Sequence, residues 1–256
     1  MSFVLLLFIT TGAVNKLGIV GAMDVELGLL IKDMQVEDVD TIAQRIFYMG
    51  TIDGVDVICV KAGIGKVNAA LTAEILIMKY AVDAVVFTGV AGGITPELDI
   101  GDIVISERVI HHDYGQVMPD VFIPWDTIGY AADSFLVDIA ERAASSARLA
   151  PIPRELVKET GRLPRTKTGR VVTGDQFIAS EKKRKWIEET FHADCVEMEG
   201  AAVAQVCAIN DVPFVVIRCL SDLANEKADI DFEEFVRYAA ENSNLIVKEI
   251  ISLLVK

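Results

Sequence analysis

The chain lacks the residue patterns that build metal sites and disulfide frameworks. Only four of its 256 residues are cysteines, and only three are histidines. The cysteines lie in apolar surroundings without a CxxC pair, which is typical of small core residues in a reducing compartment. The histidines lack the spacing of metal ligands on a helix. The sequence therefore predicts no metal site, and we expect no cofactor.

An excess of basic charge is also missing. The formal net charge is -14, because 38 acidic residues outnumber 24 basic ones. A chain of this charge is not attracted to nucleic acid or to anionic membranes, so we expect neither as a partner. The one basic cluster, residues 182–185, is surrounded by Glu181, Glu188 and Glu189. Such a mixture is typical of a solvated helix face.

No apolar run at the N-terminus is long enough to span a bilayer as a helix. Residues 2–9 are apolar but too few. Residues 11–13 resemble a signal-peptidase site, yet no lysine or arginine precedes the apolar run. We interpret residues 1–15 as an N-terminal extension, either a start assigned too early or a weak export signal. The first interpretation is favoured, so we expect a cytoplasmic protein with one domain over residues 16–256.

Short apolar, β-branched runs alternate with helical patterns along the rest of the chain. Several runs are almost continuously apolar, as in strands that helices cover on both faces. The alternation predicts the α/β class with one mixed or mostly parallel sheet. The Pro-, Lys- and Arg-rich stretch 151–167 is predicted to be a long surface loop. The predicted strands are 17–20, 55–61, 84–88, 103–108, 170–173 and 214–220, with a short one near 193–196, and the predicted helices are 67–80, 132–148, 201–210 and 232–254.

Three glycine-bearing turns follow predicted strands, at residues 21–26, 62–67 and 88–93. Glycine lets the backbone turn tightly and approach a ligand closely, and a following helix N-terminus offers free amide groups. None of the turns is a Walker loop or a full dinucleotide fingerprint. Each alone is a weak indication of a ligand site, because strand-to-helix turns often use glycine for packing.

Carboxyl groups are predicted at the ends of three strands beside these turns: Glu26, Glu199 and Asp222. For each residue alone, a structural role as a charge or cap at a helix start is about as good an explanation as a role in a ligand site. In an extended segment, Glu197 and Glu199 point to opposite sides, so one of them can face a ligand. Because open α/β sheets bind ligands at the carboxyl ends of their strands, the three groups together indicate a site there.

In this order the motifs resemble those of the 5′-methylthioadenosine/S-adenosylhomocysteine nucleosidases, in the nucleoside phosphorylase superfamily. The resemblance runs from about Lys16 to the C-terminus and implies a three-layer α/β/α fold. It also implies hydrolysis of an N-glycosidic bond, with release of adenine and a 5′-thio-ribose. The matching motifs are GIVGAM (18–23) with Glu26, GIGKV (63–67), TG (88–89), AGG (91–93), GDQFI (174–178), VEME (196–199) and SD (221–222).

The resemblance assigns a chemical role to each of three carboxyl groups. Glu26 would be the general base that activates the attacking water, and Asp222 the general acid that protonates adenine N7. Glu199 would bind the ribose hydroxyls. This division agrees with the chemistry, since an oxocarbenium-like sugar is stabilised by carboxylates and the two steps require opposite protonation states. Burial or a neighbouring negative charge must then raise the pKa of Asp222.

Further substrate contacts are implied by the same resemblance. Phe177 would stack on adenine, while the backbone of Ile178 would read its Watson–Crick edge. Phe232 would line the apolar pocket for the 5′-thio group. The other expected members of the site are Met198 beside the sugar, Ala91 and Gly92 at the floor, and Met23, Ile64, Ser221 and Glu197, the last as a structural or supporting group.

The chain departs from the family pattern at three places. Val90 stands where the nucleosidases usually carry Ser, and residues 111–115 and 151–167 also differ. Both segments lie where specificity for the 5′-substituent can be set. Methylthioadenosine, S-adenosylhomocysteine, 5′-deoxyadenosine and aminodeoxyfutalosine therefore stay open as substrates. A homodimer is expected from the family, in which a neighbouring subunit helps to close the 5′ pocket.

Two alternative functions stay open. A purine nucleoside phosphorylase would use phosphate in place of water, and a phosphate site favours fixed arginines. Bacterial phosphorylases resemble this chain but carry Arg and Ser where Phe87 and Val90 stand, so the sequence favours hydrolysis. The second alternative is a protein that binds nucleosides without turnover. The presence of both an acid and a base argues against it.

Overall fold

The computed structural model describes residues 14–153 and 162–255. Within these residues, ten strands form one mixed sheet and two others form a separate small hairpin. Residues 1–13 of the expected N-terminal extension, and residues 154–161 of the predicted loop, lie outside the described residues. The strands are β1 (Lys16–Gly21), β2 (Gln35–Ile42), β3 (Arg45–Ile52), β4 (Val55–Lys61), β5 (Ala84–Gly93), β6 (Ile103–His111), β7 (Gly115–Val117), β8 (Phe122–Pro124), β9 (Tyr130–Ala131), β10 (Thr166–Thr173), β11 (Cys195–Glu197) and β12 (Phe214–Asp222).

The large sheet has the strand order β11-β10-β6-β12-β5-β1-β4-β3-β2, and β9 pairs with β6. Parallel ladders join β4, β1, β5 and β12, and a second parallel set joins β6, β10 and β11. The antiparallel pairing of β12 with β6 connects the two sets. A further antiparallel pairing of β11 with β5 curls this side of the sheet into a ring of five strands. The prediction of an α/β fold with a mixed sheet is confirmed.

Helices cover both faces of the sheet, which gives three α/β/α layers. In β1, Ile19 belongs to the core beneath α1, α3 and α6, whereas its neighbour Val20 belongs to the core beneath α2 and α5. Successive strand residues point to opposite faces, so a strand buried on both sides reads as continuously apolar. The helices are α1 (Gly28–Asp33), α2 (Lys66–Tyr80), α3 (Ser134–Ser146), α4 (Glu181–Phe191), α5 (Gly200–Ile209) and α6 (Ala228–Leu254), with a short 3-10 helix at Asp24–Glu26.

The sequence-based elements are confirmed, with three corrections. The third predicted glycine turn is not a turn, because β5 continues through Gly93 and its last two glycines pair with β11. The hairpin of β2 and β3 was not predicted, since β2 is largely exposed and its polar residues form no apolar run. Strand β10 begins at Thr166, so the last residues of the predicted loop belong to a strand.

Two smaller predictions are also confirmed. The basic cluster 182–185 lies on a helix, α4, and all four cysteines are free and buried. None of the described helices is long and apolar enough to cross a membrane.

Candidate active site

One cavity of about 360 Å³ lies at the carboxyl ends of β1, β5, β11 and β12. It contains every residue that the sequence analysis placed in the site, including all four carboxyl groups. The topology brings these distant segments together, because their strands end at one edge of the sheet. Four lining residues were not singled out as site residues: Ala22, Val90, Gln176 and Val196. The predicted residues that line the cavity are Met23, Glu26, Ile64, Ala91, Gly92, Phe177, Ile178, Glu197, Met198, Glu199, Ser221, Asp222 and Phe232.

Glu26 is a buried carboxylate held by backbone amides. The N–H groups of Ala22 and Met23 donate to Oε2 at 2.7 and 2.8 Å, and the N–H of Val90 donates to Oε1 at 3.0 Å. A Cβ added to Gly89 would lie 2.4 Å from Oε1, so this approach requires glycine. Burial raises the pKa of Glu26, while the Arg218 charge and the three N–H donors oppose that rise.

Asp222 ends β12 and has a less polar environment than Glu26. Its Oδ1 accepts a hydrogen bond from the N–H of Ala224 at 2.8 Å, and its Oδ2 accepts one from the Ser221 hydroxyl at 2.9 Å. Burial raises the pKa of Asp222 to about 6. Gly92 allows this packing, because a Cβ there would lie 2.7 Å from Oδ1. Asp222 is therefore suited to donate a proton from a neutral carboxyl group.

Glu199 lies directly before α5 and reaches across to the start of α2. Its Oε1 accepts a hydrogen bond from the N–H of Gly65 at 2.7 Å. Burial, together with the charge of Glu197, raises the pKa of Glu199 to about 8. No hydrogen bond to its Oε2 is present in the part of the chain that the structure describes. That oxygen is available to the hydroxyl groups of a ligand.

Glu197 lines the cavity, but its oxygens are bound by the protein. Oε2 lies 2.6 Å from Nη2 of Arg218 and accepts hydrogen bonds from the N–H groups of Glu199 and Gly200 at 3.1 and 2.7 Å. Oε1 accepts a hydrogen bond from the Thr173 hydroxyl. Only 2% of the Glu197 side chain is exposed. Glu197 therefore acts as a structural support for the site, since both of its oxygens already have partners in the protein.

Arg218 is the functional residue that the sequence analysis missed. Its side chain is 1% exposed, and its guanidinium carbon lies 4.1 Å from the centre of the Phe87 ring. The positive charge of Arg218 favours the ionised forms of Glu26 and Glu199. The sequence offered one indication of this role, since Arg218 is the single arginine in the apolar run 214–220. A buried arginine requires an acidic partner, so the run indicates an ion pair inside the protein.

Part of the cavity lining is apolar and aromatic. Phe177 and Phe232 meet edge to face, with ring centroids 5.7 Å apart and planes at 81°. Ile178 is buried, whereas Ile64 and Phe177 are partly exposed at 55% and 44%. Of the described residues that line the cavity, none is a lysine, arginine or histidine. The site thus combines acidic and amide groups with apolar and aromatic side chains.

Comparison with known proteins identifies relatives over nearly the whole chain. The family model of the phosphorylase superfamily matches residues 16–252. A 5′-methylthioadenosine/S-adenosylhomocysteine nucleosidase of Anoxybacillus flavithermus is 38% identical over 251 residues, covering 94% of this chain and 100% of the relative. A solved nucleosidase of the same kind from Colwellia psychrerythraea, in complex with adenine, has a TM-score of 0.79 and 36% identity, covering 93% and 95% of the two chains. A futalosine hydrolase of Helicobacter pylori has a TM-score of 0.80 and 30% identity, covering 94% and 98%.

The buried ion pair gives a test of stability. We expect Arg218→Met and Glu197→Gln each to lower the free energy of unfolding by about 3–5 kcal/mol, because each leaves one charge buried without its partner. The double variant should lose less free energy of unfolding than the sum of the two single losses. A double-mutant cycle measured by urea unfolding tests this. Lys248→Met is the matched control, since it breaks the exposed pair with Asp33 and should cost less than about 1 kcal/mol. Additive losses in the double variant would contradict this account.

Proposed function

The chain belongs to the phosphorylase superfamily, and we propose that it is a nucleosidase acting on 5′-methylthioadenosine and S-adenosylhomocysteine. Water cleaves the N-glycosidic bond and releases adenine and the 5′-thio-ribose. One observation carries this proposal: a carboxyl group with a pKa raised to about 6, Asp222, shares a cavity with the amide-bound carboxylate Glu26. Such a pair supplies an acid and a base to one reaction.

Asp222 acts as the general acid. Its proton passes to N7 of the purine as the glycosidic bond breaks, so the electron pair of that bond leaves with a neutral base. No cation contacts Asp222 among the described residues, so nothing counteracts its burial by charge. The neutral form is therefore present at mildly acidic pH and persists into the Michaelis complex, where bound substrate excludes more water.

Glu26 acts as the general base. It accepts a proton from water as the oxygen attacks the anomeric carbon. Three amide donors and the nearby Arg218 charge favour the ionised form, while burial keeps the pKa of Glu26 above its ordinary value. A carboxylate with a raised pKa takes up a proton more readily than an ordinary one, as a general base must. The carboxylates also stabilise the positive charge that develops on the sugar.

The remaining lining residues bind the parts of the nucleoside. Glu199 offers Oε2 to the ribose hydroxyls, with Met198 beside the sugar. Phe177 stacks on adenine, the backbone of Ile178 reads its edge, and Phe232 lies against the apolar 5′-thio group. The composition of the lining supports this arrangement, because it includes both the carboxyl groups and the aromatic pair of Phe177 and Phe232. The solved Colwellia relative, which holds adenine, agrees with a purine ligand.

Water is favoured over phosphate as the nucleophile. A phosphate site needs cationic donors with a fixed geometry. No described lining residue is cationic, and the nearby Arg218 is already paired with Glu197. Val90 places an apolar side chain beside Glu26 where a hydroxyl would help to bind an anion. A phosphorylase is therefore the weaker interpretation.

The substrate proposal includes one competitor within the same mechanism. The solved futalosine hydrolase is similar over most of both chains. A 5′-substituent with polar groups would have to lie against Phe232, which offers no hydrogen bonds. The apolar Phe232 side chain therefore favours a thioether, and a panel of 5′-substituted adenosines assayed for free adenine ranks the candidates.

Adenine release tests the function directly. We expect turnover of 5′-methylthioadenosine at the same rate with and without phosphate, and no ribose 1-phosphate among the products.

As pH rises above about 6, kcat/KM should decline because the free enzyme loses the Asp222 proton. Asp222→Asn should lower kcat by about 10²- to 10⁴-fold without unfolding the protein. Strictly phosphate-dependent turnover would refute hydrolysis, and tight binding without turnover by the wild type would indicate a nucleoside sensor.

The close approach of Gly89 to Glu26 gives a second test. Gly89→Ala places a methyl group 2.4 Å from Oε1 of Glu26, so the carboxylate must move away from its amide donors. We expect kcat to fall by at least about 10²-fold, as for a lost general base. Gly28→Ala is the matched control, since a Cβ there meets nothing within 4 Å. Full activity of Gly89→Ala would contradict the role of Glu26.

A homodimer is the proposed assembly. Large apolar side chains are exposed on α2 at Val67 and Met78 and near the β7–β8 hairpin at Val117 and Trp125. We propose the dimer from the family resemblance, and these side chains are available for burial in an interface. We expect sedimentation velocity to give twice the chain mass of 27.9 kDa. A single chain mass at micromolar concentration would contradict the dimer.

A further inference from the structure

Two loops near the cavity and the start of α2 are joined by a ring of polar contacts that we name the loop clamp: Lys66, Asp113 and Asp175. The ammonium group of Lys66 lies 2.6 Å from Oδ1 of Asp113. The N–H of Asp175 donates to Oδ2 of Asp113 at 2.9 Å. The N–H of Lys66, the first residue of α2, donates in turn to Oδ1 of Asp175 at 2.8 Å. Each of the three segments is therefore bound to the other two.

The clamp residues do not line the cavity, but each is adjacent to groups that do. Gly65, just before Lys66, donates its N–H to Glu199. Asp175 directly precedes Gln176 and Phe177, which both line the cavity. A shift of Lys66 or Asp175 therefore moves two things at once. It displaces the Gly65 N–H group that donates to Glu199, and it displaces the Phe177 wall of the cavity.

The central ion pair is shielded well enough to hold these loops. Only 23% of the Lys66 side chain and 17% of the Asp113 side chain are exposed. Burial tends to raise the pKa of Asp113, but the hydrogen bonds from Lys66 and Asp175 outweigh it, so the pKa of Asp113 is lowered. The ionised form of Asp113 is therefore favoured in the folded protein. A partly buried pair of this kind is stronger than an exposed one.

We propose that Lys66 and Asp113 are positioning residues, which set the distance between the Gly65–Glu199 contact and the Phe177 wall and so determine nucleoside affinity. The inference rests on the proposed function, since it takes the cavity ligand to be a nucleoside. The clamp contacts neither the acid nor the base. It therefore acts on binding of sugar and purine, in the ground state and transition state alike.

Steady-state kinetics of four variants tests the clamp. We expect Lys66→Met and Asp113→Asn each to raise KM for 5′-methylthioadenosine by about tenfold, with kcat changed less than about twofold, which is the pattern of lost uniform binding. The double variant should be no worse than the poorer single variant, because both changes break one contact. Lys66→Arg keeps the charge and should restore KM to within about threefold of the wild type.

Lys79→Met is the matched control for the clamp. It breaks the ion pair with Asp40 at the other end of α2, so it should leave KM unchanged. An equal rise of KM in Lys79→Met, a fall in kcat at constant KM, or a lower melting temperature with unchanged KM would overturn the inference. Adenine release by the wild type tests the proposed function, and it does so independently of the clamp variants. If the wild type binds 5′-methylthioadenosine without turnover, the same comparison of variants is made with dissociation constants from calorimetry.

Discussion

The site depends on the buried pair of Glu197 and Arg218. Bringing several carboxyl groups to one apolar sheet edge is costly unless positive charge and amide donors accompany them. Arg218 supplies the charge from β12, while Glu197 accepts the first N–H groups around the start of α5 and the Thr173 hydroxyl of β10. One ion pair therefore fixes three elements relative to each other. It also sets the electrostatic environment in which the other carboxyl groups titrate.

That environment differs between the two ends of the reaction. Glu26 lies near Arg218 and accepts three amide hydrogen bonds, which favour its charged form. Asp222 has one amide donor and one hydroxyl, and the carboxylates at the start of α6 oppose its ionisation further. The same fold thus separates the two carboxyl groups, because positive charge and amide donors oppose the effect of burial on the pKa more at Glu26 than at Asp222. This separation follows from the placement of a single arginine and a few N–H groups.

Much of the fold, and the meeting of the carboxyl groups at one edge, followed from the sequence for identifiable physical reasons. Strands such as β1 and β12 are apolar on both faces, and the carboxyl groups follow strand ends that must meet at one edge. The remaining members of the site followed from the family resemblance. The continuation of β5 through its glycines could not be predicted, because it depends on pairing with β11, which lies about 100 residues away in the chain. Strand β2 carries no apolar run, and the partners of Arg218 come from other elements. These contacts are set by tertiary structure, which local patterns do not encode.

The contrast between strands and loops explains why the reaction is easier to infer than the substrate. Asp222 and Glu197 belong to strands of the central sheet, and Glu26 lies in the short 3-10 helix after β1, so their positions are fixed by the core. Other cavity residues, such as Ile64 and Phe177, stand on loops that polar contacts hold in place. Loops change more readily than a packed sheet. Relatives of one fold can therefore share the acid and base while differing in the nucleoside they prefer.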